Sequence, residues 1–298
     1  MESQAQDDSL ADFLKARPRL FGIAYRMLGS AAEAEDIVQD VWLRWQAADR
    51  SVVLDPPAFL ATTATRLAIN VAQSARSRHE TYVGPWLPEP VDTSTDPQLG
   101  AERGEALEFA VLLLLEKLSP TERAAYILRE AFDYPYRQIA EILRLEEANT
   151  RQLVARARQH VTEGRRAPVS STAQRRLLET FIAAAQKGDL TALEGLFASD
   201  VVSYSDGGGV VRAARTPIAG RERVAKFIAA FASHFWTGVK LTWIQTNGQS
   251  SVLISRGSAV VAVATIEASD EGIGQILWMM RPSKLNAIGK SYQDENQP

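Results

Sequence analysis

The sequence predicts a multidomain fold: two all-α helical domains, the second a helix-turn-helix, followed by an α+β domain. Apolar residues recur at three- and four-residue spacing through most of 10–162, as in amphipathic helices. Runs rich in Val, Ile and Thr appear only in the last hundred residues. Two polar segments with proline or glycine, 81–101 and 164–173, separate these parts. We therefore place the domains at 1–80, 102–163 and 174–298.

The first domain is predicted to contain three helices, at 10–28, 31–46 and 58–78. Asp55 before two prolines is typical of a helix start, since its carboxylate can cap the first turn. The connection at 47–54 is expected to be a loop. Trp42 and Trp45 have the i, i+3 spacing of an inward stripe, so we expect them in the core.

The segment 81–101 is predicted to be a linker because Pro85, Pro88 and Pro90 exclude a helix there. Beyond the linker, we expect a helix at 102–117, a capped helix start at 119–122, and further helices that end this domain at 162. The last domain is predicted to hold three helices and five strands, at 174–187, 190–197 and 221–233, and at 201–204, 239–246, 251–255, 259–266 and 273–280.

Composition excludes several classes of protein. The 298 residues contain no cysteine, which excludes disulfides and cysteine-bound metal and agrees with a reducing cytoplasm. No apolar run reaches the length of a membrane span, and the acidic first residues are unlike a secretory signal, so we expect a cytoplasmic protein. The net charge of −3 argues weakly against nucleic acid, but residues 148–166 carry five arginines against one glutamate.

The arginine-rich stretch belongs to a predicted helix-turn-helix at 120–162. Two short helices, 136–143 and one from Glu147, are joined by a tight turn, and the second would enter the major groove. Near its start are residues suited to base edges, and further along are residues suited to phosphates: Asn149, Arg151, Gln152, Arg156 and Arg158. Taken alone, these residues fit a helical hairpin with a solvated arginine face as well as they fit a DNA-binding helix-turn-helix.

Two motifs resemble the extracytoplasmic-function (ECF) sigma factors of the sigma-70 family. Residues 33–45, EAEDIVQDVWLRW, resemble the helix that binds RNA polymerase core. Residues 118–158, from LSPTERAAYILREAFDYPYRQIAEIL through ARAR, resemble the part that contacts the promoter −35 element. The resemblance covers roughly 10–162 and implies that RNA polymerase core and promoter DNA are the partners.

The resemblance also implies site residues. Polymerase core would bind one helical face formed by Glu35, Asp36, Gln39, Asp40 and Leu43. The third helix would face the −10 element with Asn70, Gln73, Arg76, Arg78 and His79, and the loop 47–54 would hold a flipped-out base. No catalytic residue, metal or cofactor is expected.

This chain departs from the family pattern in its DNA-facing parts. Val71 and Gln73 stand where basic residues are expected on the −10 helix. The turn before the recognition helix has Arg144 in place of glycine, and Glu146 with Glu147 place negative charge near the DNA. These departures predict weak intrinsic affinity for DNA.

Residues 173–290 resemble a SnoaL-like domain, the α+β cone also called nuclear-transport-factor-2-like. Three segments narrow the resemblance to a SigJ-like subgroup of these sigma factors: WLPEP at 86–90, DGGG at 206–209 and RPSKL at 281–285. Val210 stands where Lys is expected, and Arg281 and Ser283 stand where Asn and Asp are expected. The sheet interior would form an apolar pocket, and a small-molecule ligand there is an additional expected partner.

The three segments predict a regulatory contact between the linker and the last domain. We assign it to Trp86, Leu87, Pro88, Asp206, Gly207, Gly208, Gly209 and Lys284. Three successive glycines permit positive φ and close backbone approach, and Asp206 can accept hydrogen bonds from nearby amides. A plain hairpin turn at 206–209 is the alternative.

Two other functions compete with a sigma factor. An enzyme of SnoaL-like fold would need a base in its cavity, and Asp206 and His234 are the candidates. A regulator independent of polymerase would be a dimer on palindromic DNA, but no dimerisation helix stands out, so we expect a monomer. The three histidines, at 79, 160 and 234, give no metal triad.

Overall fold

The computed structural model describes residues 2–80, 82–93 and 107–294, with side chains described for 9–74, 82–93, 107–289 and 292. The chain divides into two compact units, which are treated separately. One comprises 1–80 with 96–164, and the other comprises 81–95 with 165–298. The segment 82–93, part of the linker predicted at 81–101, therefore belongs to the C-terminal unit.

The first unit is entirely helical where it is described. Its helices are α1 (Glu2–Leu28), α2 (Ala31–Ala47), a short 3-10 turn (Arg50–Val52), α3 (Pro56–Glu80), α4 (Phe109–Leu115), α5 (Pro120–Glu130), α6 (Tyr136–Leu143) and α7 (Glu147–Gly164).

Helices α1, α2 and α3 form a bundle around apolar side chains such as Ile23, Val41 and Leu60. Trp45 is buried and donates its indole N–H to the Ser9 carbonyl oxygen at 3.0 Å. Its neighbour Trp42 is partly buried, with its ring centroid 4.8 Å from that of Phe13. Trp45 therefore lies in the core, as the sequence predicts, whereas Trp42 is only partly covered.

Two helix starts follow the expected capping chemistry. The Asp55 carboxylate accepts from the Ala58 amide at 3.0 Å, one turn into α3. Ser119 and Glu122 form a reciprocal capping box at the start of α5. The hydrogen bond from Ser119 lowers the pKa of Glu122, and burial opposes this shift.

Other helix ends differ from expectation. Helix α1 begins at Glu2, not Leu10, since residues 2–9 are mostly polar and lack the apolar periodicity from which the sequence predicts a helix. Helix α4 begins at Phe109, and the part of the predicted 102–117 helix at 102–106 lies outside the described residues. The turn after α6 is closed by Arg144 itself, which adopts the left-handed conformation with φ +56°.

Within the helical unit, α5 and α6 pack against the α1–α3 bundle through arginines. Arg123 is buried and donates to the Met27 carbonyl oxygen at 2.5 Å, at the end of α1, and to Glu116 at 2.6 Å. Arg66 of α3 donates to the Ile142 and Glu141 carbonyl oxygens at 2.9 and 3.1 Å, which caps the C-terminus of α6. The two predicted helical domains thus form one packed unit.

The second unit is an α+β fold. Its helices are α8 (Ser171–Lys187), α9 (Leu190–Leu196), α10 (Arg221–Ala230), α11 (Ala232–Phe235) and α12 (Pro282–Asp294). Its strands are β1 (Phe197–Asp206), β2 (Ile218–Ala219), β3 (Val239–Thr246), β4 (Gln249–Arg256), β5 (Ala259–Ser269) and β6 (Gly272–Met279). They form one sheet in the order β2-β1-β6-β5-β4-β3, in which β1 and β6 are parallel and the other pairs antiparallel.

One face of this sheet is covered by α8 to α11. Phe181 of α8 lies with its ring centroid 6.0 Å from those of Phe197 and Trp278, and Ile182 is buried in the same cluster. The opposite face carries the alternate residues, including Leu277 and Met279, and is covered partly by α12. Adjacent residues of one strand therefore face two different layers.

Several boundaries in this unit correct the prediction. Helix α8 starts at Ser171, capped by Ser170, so the linker expected to run to 173 ends earlier. The helix expected at 221–233 is two helices, since α10 ends at Ala230. The strand expected at 201–204 extends over Phe197–Asp206, and β2 and α12 were not predicted.

Loss of the buried Arg123 should destabilise the helical unit. We expect Arg123→Ala to lower the free energy of unfolding by about 3 kcal/mol, because it removes a buried guanidinium that donates to both the Met27 carbonyl oxygen and Glu116. Arg137→Ala is the matched control, since its pair with Glu141 is exposed and should contribute less than about 0.5 kcal/mol. Chemical denaturation of the full chain followed by circular dichroism measures both, and equal shifts would contradict the packing role of Arg123.

Candidate functional site

The residues expected to bind polymerase lie on the outer face of α2. Asp36, Gln39, Asp40 and Leu43 are all exposed, and Leu43 retains 61 % of its surface. Glu35 is partly buried and accepts from Arg17 of α1 at 2.8 Å. The face is therefore acidic with one exposed leucine, and Glu35 is already neutralised within the molecule.

The residues expected at the −10 element lie along α3. Asn70 and Gln73 are exposed on this helix, whereas the side chains of Arg76, Arg78 and His79 lie outside the described residues. The preceding loop exposes two aliphatic side chains, Val52 at 72 % and Leu54 at 97 %. The loop thus offers apolar surface where the resemblance implies contact with a displaced base.

The recognition helix α7 presents the expected side chains to solvent. Asn149, Arg151, Gln152, Arg156 and Arg158 are all exposed, while Leu153 and Ala157 face inward. On α6, Ile139 is buried as expected, but the buried residue near its end is Ile142, with Leu143 only partly covered. The arrangement is that of a helix-turn-helix whose polar face is exposed to solvent.

Each arginine of this polar face already has an acidic partner. Arg151 pairs with Glu147 at 2.5 Å and lies 4.6 Å from the Tyr136 ring centroid. Arg156 and Arg158 pair with the α5 glutamates Glu122 and Glu130, at 3.4 and 2.7 Å. Hydrogen bonding and attraction to Glu130 raise the pKa of Arg158. Contact with DNA therefore requires these arginines to exchange partners.

The C-terminal unit holds residues 82–93 through a buried carboxylate. Asp206 at the end of β1 has no accessible surface and accepts from the Tyr82 hydroxyl at 2.5 Å and the Leu87 amide at 2.9 Å. Lys284 of α12 donates to Asp206 at 2.7 Å and also to the Leu87 carbonyl oxygen. The Lys284 ammonium lies 4.4 Å from the Trp86 ring centroid. We call the contact formed by Tyr82, Trp86, Leu87, Asp206 and Lys284 the linker seat.

The linker seat depends on the glycines after Asp206. Gly208 and Gly209 adopt φ of +57° and +73°. A Cβ at Gly208 would lie 2.8 Å from the Tyr82 hydroxyl oxygen, and one at Gly209 would lie 3.1 Å from Val83 Cβ. At Gly207 a Cβ would lie 2.5 Å from the Val211 carbonyl oxygen. The glycines thus form more than a turn, because Gly208 and Gly209 let residues 82 and 83 approach the backbone, while Gly207 permits the tight fold of the loop itself.

Burial changes the titration of the linker-seat residues. Desolvation and the hydrogen bond to Asp206 raise the pKa of Tyr82, so its hydroxyl stays protonated and donates. Desolvation lowers the pKa of Lys284, and attraction to Asp206 opposes this shift. Pro88 is buried beside Leu87. All the residues assigned to the regulatory contact therefore lie in or beside one cluster, and their role stays a prediction.

A second anchor holds the other end of the segment. Asn247, in the turn between β3 and β4, exchanges two hydrogen bonds of 3.0 Å with the Val91 backbone. The Thr93 amide donates to the Gln245 carbonyl oxygen at 3.2 Å. Neither Tyr82 nor Asn247 was predicted from the sequence to contribute to this contact. Asn247-Gly248 is a hairpin signature, but nothing local indicates a contact 156 residues away.

The other face of the sheet encloses a cavity of about 540 Å³. It is lined by Ser205, Arg212, Ala213, Ala214, Phe227, Ile228, Ala230, Phe231, His234, Phe235, Trp236, Trp278 and Met280. Asp206 faces away from this cavity into the linker seat, so its candidacy as a cavity base was wrong. His234 lies at the cavity, exposed and 2.9 Å from the Ser233 hydroxyl oxygen. No cluster suited to a metal ion occurs among the described residues.

Comparison with known proteins identifies the helical unit. The Sigma-70 region 2 family matches residues 13–78, and the Sigma-70 region 4 family matches residues 108–161. The chain belongs to the extracytoplasmic-function sigma factors of the sigma-70 family. Members of this family direct RNA polymerase to specific promoters for transcription initiation.

Particular relatives extend the match over the whole chain. The chain is 37 % identical over 236 residues to the ECF RNA polymerase sigma factor SigJ of Mycobacterium tuberculosis, covering 77 % of this chain and 75 % of the relative. It is 31 % identical to a probable ECF sigma factor SigI of the same species, covering 91 % and 93 %. The crystal structure of SigJ superposes with a TM-score of 0.75 at 31 % identity, covering 93 % of this chain and 98 % of SigJ. The C-terminal unit accordingly has the SnoaL-like fold.

Among the described residues, no helix has the length and apolar character needed to cross a membrane.

Removing the charge of Asp206 should release the linker seat. We expect Asp206→Asn to raise amide exchange of residues 82–88 at least tenfold, because Lys284 would lose its carboxylate partner inside the protein. Hydrogen exchange followed by mass spectrometry measures this, with Asp270→Asn on an exposed turn as the matched control. Unchanged exchange in the Asp206 variant would show that the ion pair does not hold the segment.

Proposed function

We propose that this protein guides RNA polymerase core to specific promoters and that its SnoaL-like unit modulates this activity through the linker seat. The protein works as a monomeric transcription factor in the cytoplasm, where polymerase and the chromosome are found. A small molecule bound in the C-terminal cavity is a further partner. The observation that carries the proposal is that the segment joining regions 2 and 4 is bound by the C-terminal unit.

The outer face of α2 supports polymerase binding. Four of its five assigned residues are exposed and available, and Asp36 and Asp40 lie one helical turn apart. Carboxylates at this spacing suit a basic helical partner, and the exposed Leu43 adds an apolar contact of the kind found at interface centres.

Promoter binding requires the helical unit to open. The −10 and −35 elements lie about 25 base pairs apart, which is about 85 Å of straight duplex. In the packed unit, the hydrogen bonds of Arg66 to the end of α6 place Asn70 and Asn149 within about 45 Å of each other, given the reach of the chain. The two DNA-binding parts cannot contact both elements until α5 and α6 leave the α1–α3 bundle.

The linker seat is placed to influence this opening. Helix α3 ends at Glu80 and α4 begins at Phe109, and residues 82–93 lie in the connection between them. A held segment of 12 residues removes much of the freedom that a flexible connection would give to separating modules. Occupation of the seat therefore alters the geometry in which regions 2 and 4 bind the promoter.

The residues near the start of α7 should determine −35 specificity. We expect Arg151→Ala and Gln152→Ala each to cost about 1–3 kcal/mol on a promoter that the holoenzyme selects from a random DNA pool. The cost should disappear on the same promoter with a scrambled −35 element. Electrophoretic mobility shifts of the holoenzyme measure the affinities, with Arg137→Ala as control. An equal loss of affinity on both DNAs would show that the two residues contact the DNA backbone and not the bases.

Release of the linker seat should change transcription without abolishing polymerase binding. We expect Asp206→Asn and deletion of 173–298 each to alter run-off transcription with purified core at least threefold, because the first releases residues 82–88 and the second also removes the Asn247 anchor of Val91. Co-elution with core should stay unchanged, since α2 lies in the other unit. Asp270→Asn serves as control. Wild-type transcription by both altered proteins would refute modulation, and failure of the intact chain to co-elute with core would refute the sigma assignment.

A further inference from the structure

The cavity of the SnoaL-like unit has walls of unusual aromatic content. Five of its lining residues are aromatic, two of them tryptophans: Phe227, Phe231, Phe235, Trp236 and Trp278. Phe235 meets both tryptophans edge to face, with centroids 4.9 and 5.7 Å apart. Such walls contact a flat ring system by stacking and by edge-to-face packing. The volume of about 540 Å³ lies within the range of small-molecule sites.

The polar groups of the cavity favour an anionic ligand. Arg212 lines the cavity from the loop after β1 and has no hydrogen-bond or ion-pair partner among the described residues. His234 and Ser205 add donors, and the cavity lining includes no carboxylate. A guanidinium binds a carboxylate through two parallel hydrogen bonds, so a free arginine beside aromatic walls suits a flat aromatic acid.

Strand β1 carries a second buried hydroxyl group, that of Ser203, near the cavity-lining Ser205. Ser203 faces the same side of β1 as Ser205, is 1 % exposed, and its hydroxyl has no hydrogen-bond partner within the described part of the chain. An unpaired buried hydroxyl is costly in an apolar core. The polar groups of this face thus continue from the cavity into the interior of the domain.

The wall of the cavity is also the wall of the linker seat. Ser205 lines the cavity while the next residue, Asp206, points to the opposite face and binds Tyr82, Leu87 and Lys284. The loop 207–217, which follows Asp206, contacts both the cavity and the segment 82–93. Its Arg212, Ala213 and Ala214 line the cavity, whereas Gly208 and Gly209 approach residues 82 and 83.

From this geometry we propose that the cavity binds a flat aromatic carboxylic acid through Arg212, and that the loop 207–217 transmits its occupation to the linker seat. The second part rests on the proposed modulation through residues 82–93, whereas the first stands without it. A bound carboxylate draws Arg212 over the cavity and orders the loop, which strengthens the hold of Asp206 on the Leu87 amide.

Ligand class is tested by calorimetry on the full-length protein with 2-naphthoate as the probe and neutral 2-naphthamide as its matched analogue. We expect naphthoate to bind at least tenfold more tightly than the amide. Arg212→Gln should remove that preference, whereas Arg215→Gln, an exposed arginine of the same loop outside the cavity lining, should preserve it. Equal affinities in the wild type, or a preference that survives Arg212→Gln, would overturn the anion site.

A second variant tests the location. Ala230→Trp should fill the cavity and abolish naphthoate binding, and Arg223→Trp, on the same helix but outside the lining, should not. Both positions are exposed, so both variants should fold. Wild-type binding by Ala230→Trp would place the probe elsewhere and overturn the assignment.

Transmission is tested by hydrogen exchange in the same protein without polymerase. Saturating naphthoate should slow exchange of residues 82–88 at least threefold and leave 89–93 unchanged, because the Val91 anchor is Asn247 in another turn. Unchanged or faster exchange at 82–88 would refute transmission while leaving the binding site intact. Naphthoate could bind and slow exchange while Asp206→Asn transcribes at the wild-type level. That result would refute the modulation of transcription through the linker seat and would leave the ligand site supported.

Discussion

The C-terminal unit depends on one buried ion pair, between Asp206 and Lys284. A carboxylate without accessible surface is stable inside a protein only if its oxygens receive enough donors. Here three donors reach it from two separate pieces of chain: the Tyr82 hydroxyl and the Leu87 amide of the segment 82–93, and Lys284 of α12. The pair therefore joins the end of β1, helix α12 and the segment 82–93, and no single one of these pieces could satisfy the charge alone.

The arginines of the helical unit bind backbone carbonyl groups and partly buried glutamates. Arg66 and Arg123 cap helix ends across the interface between the two sigma regions, where free carbonyl oxygens carry partial negative charge. The arginines of α7 are paired with Glu147, Glu122 and Glu130 on the surface. Such surface pairs are weak and are readily exchanged for phosphates. This explains how an acidic chain can present a basic helix, and it agrees with the low intrinsic DNA affinity expected from Glu147.

Local signals made much of the fold predictable. Strand β3 begins and ends at the expected residues because Val, Ile and Thr cluster there, and α6 does so because Pro135 and the left-handed Arg144 bound it. The residues that join distant parts gave no such signal. Tyr82, Asn247 and Arg123 each bind a partner more than 90 residues away, and their neighbours in sequence do not differ from ordinary loop or helix residues. Asp206, a candidate base only for the competing enzyme function, is turned away from the cavity by the alternation along β1.

The alternation of β1 places the cavity and the linker seat on opposite sides of one strand end. Ser205 and Asp206 are adjacent, so a shift of the strand end that moves one side chain into or out of the cavity moves the other relative to the linker seat. The parallel pairing of β1 with β6 fixes most of the strand, but beyond Asp206 the chain enters glycines that permit displacement. In the proposed mechanism the C-terminal unit acts on the linker without catalysis, because one side of the β1 end lines the cavity and the other side binds residues 82–88.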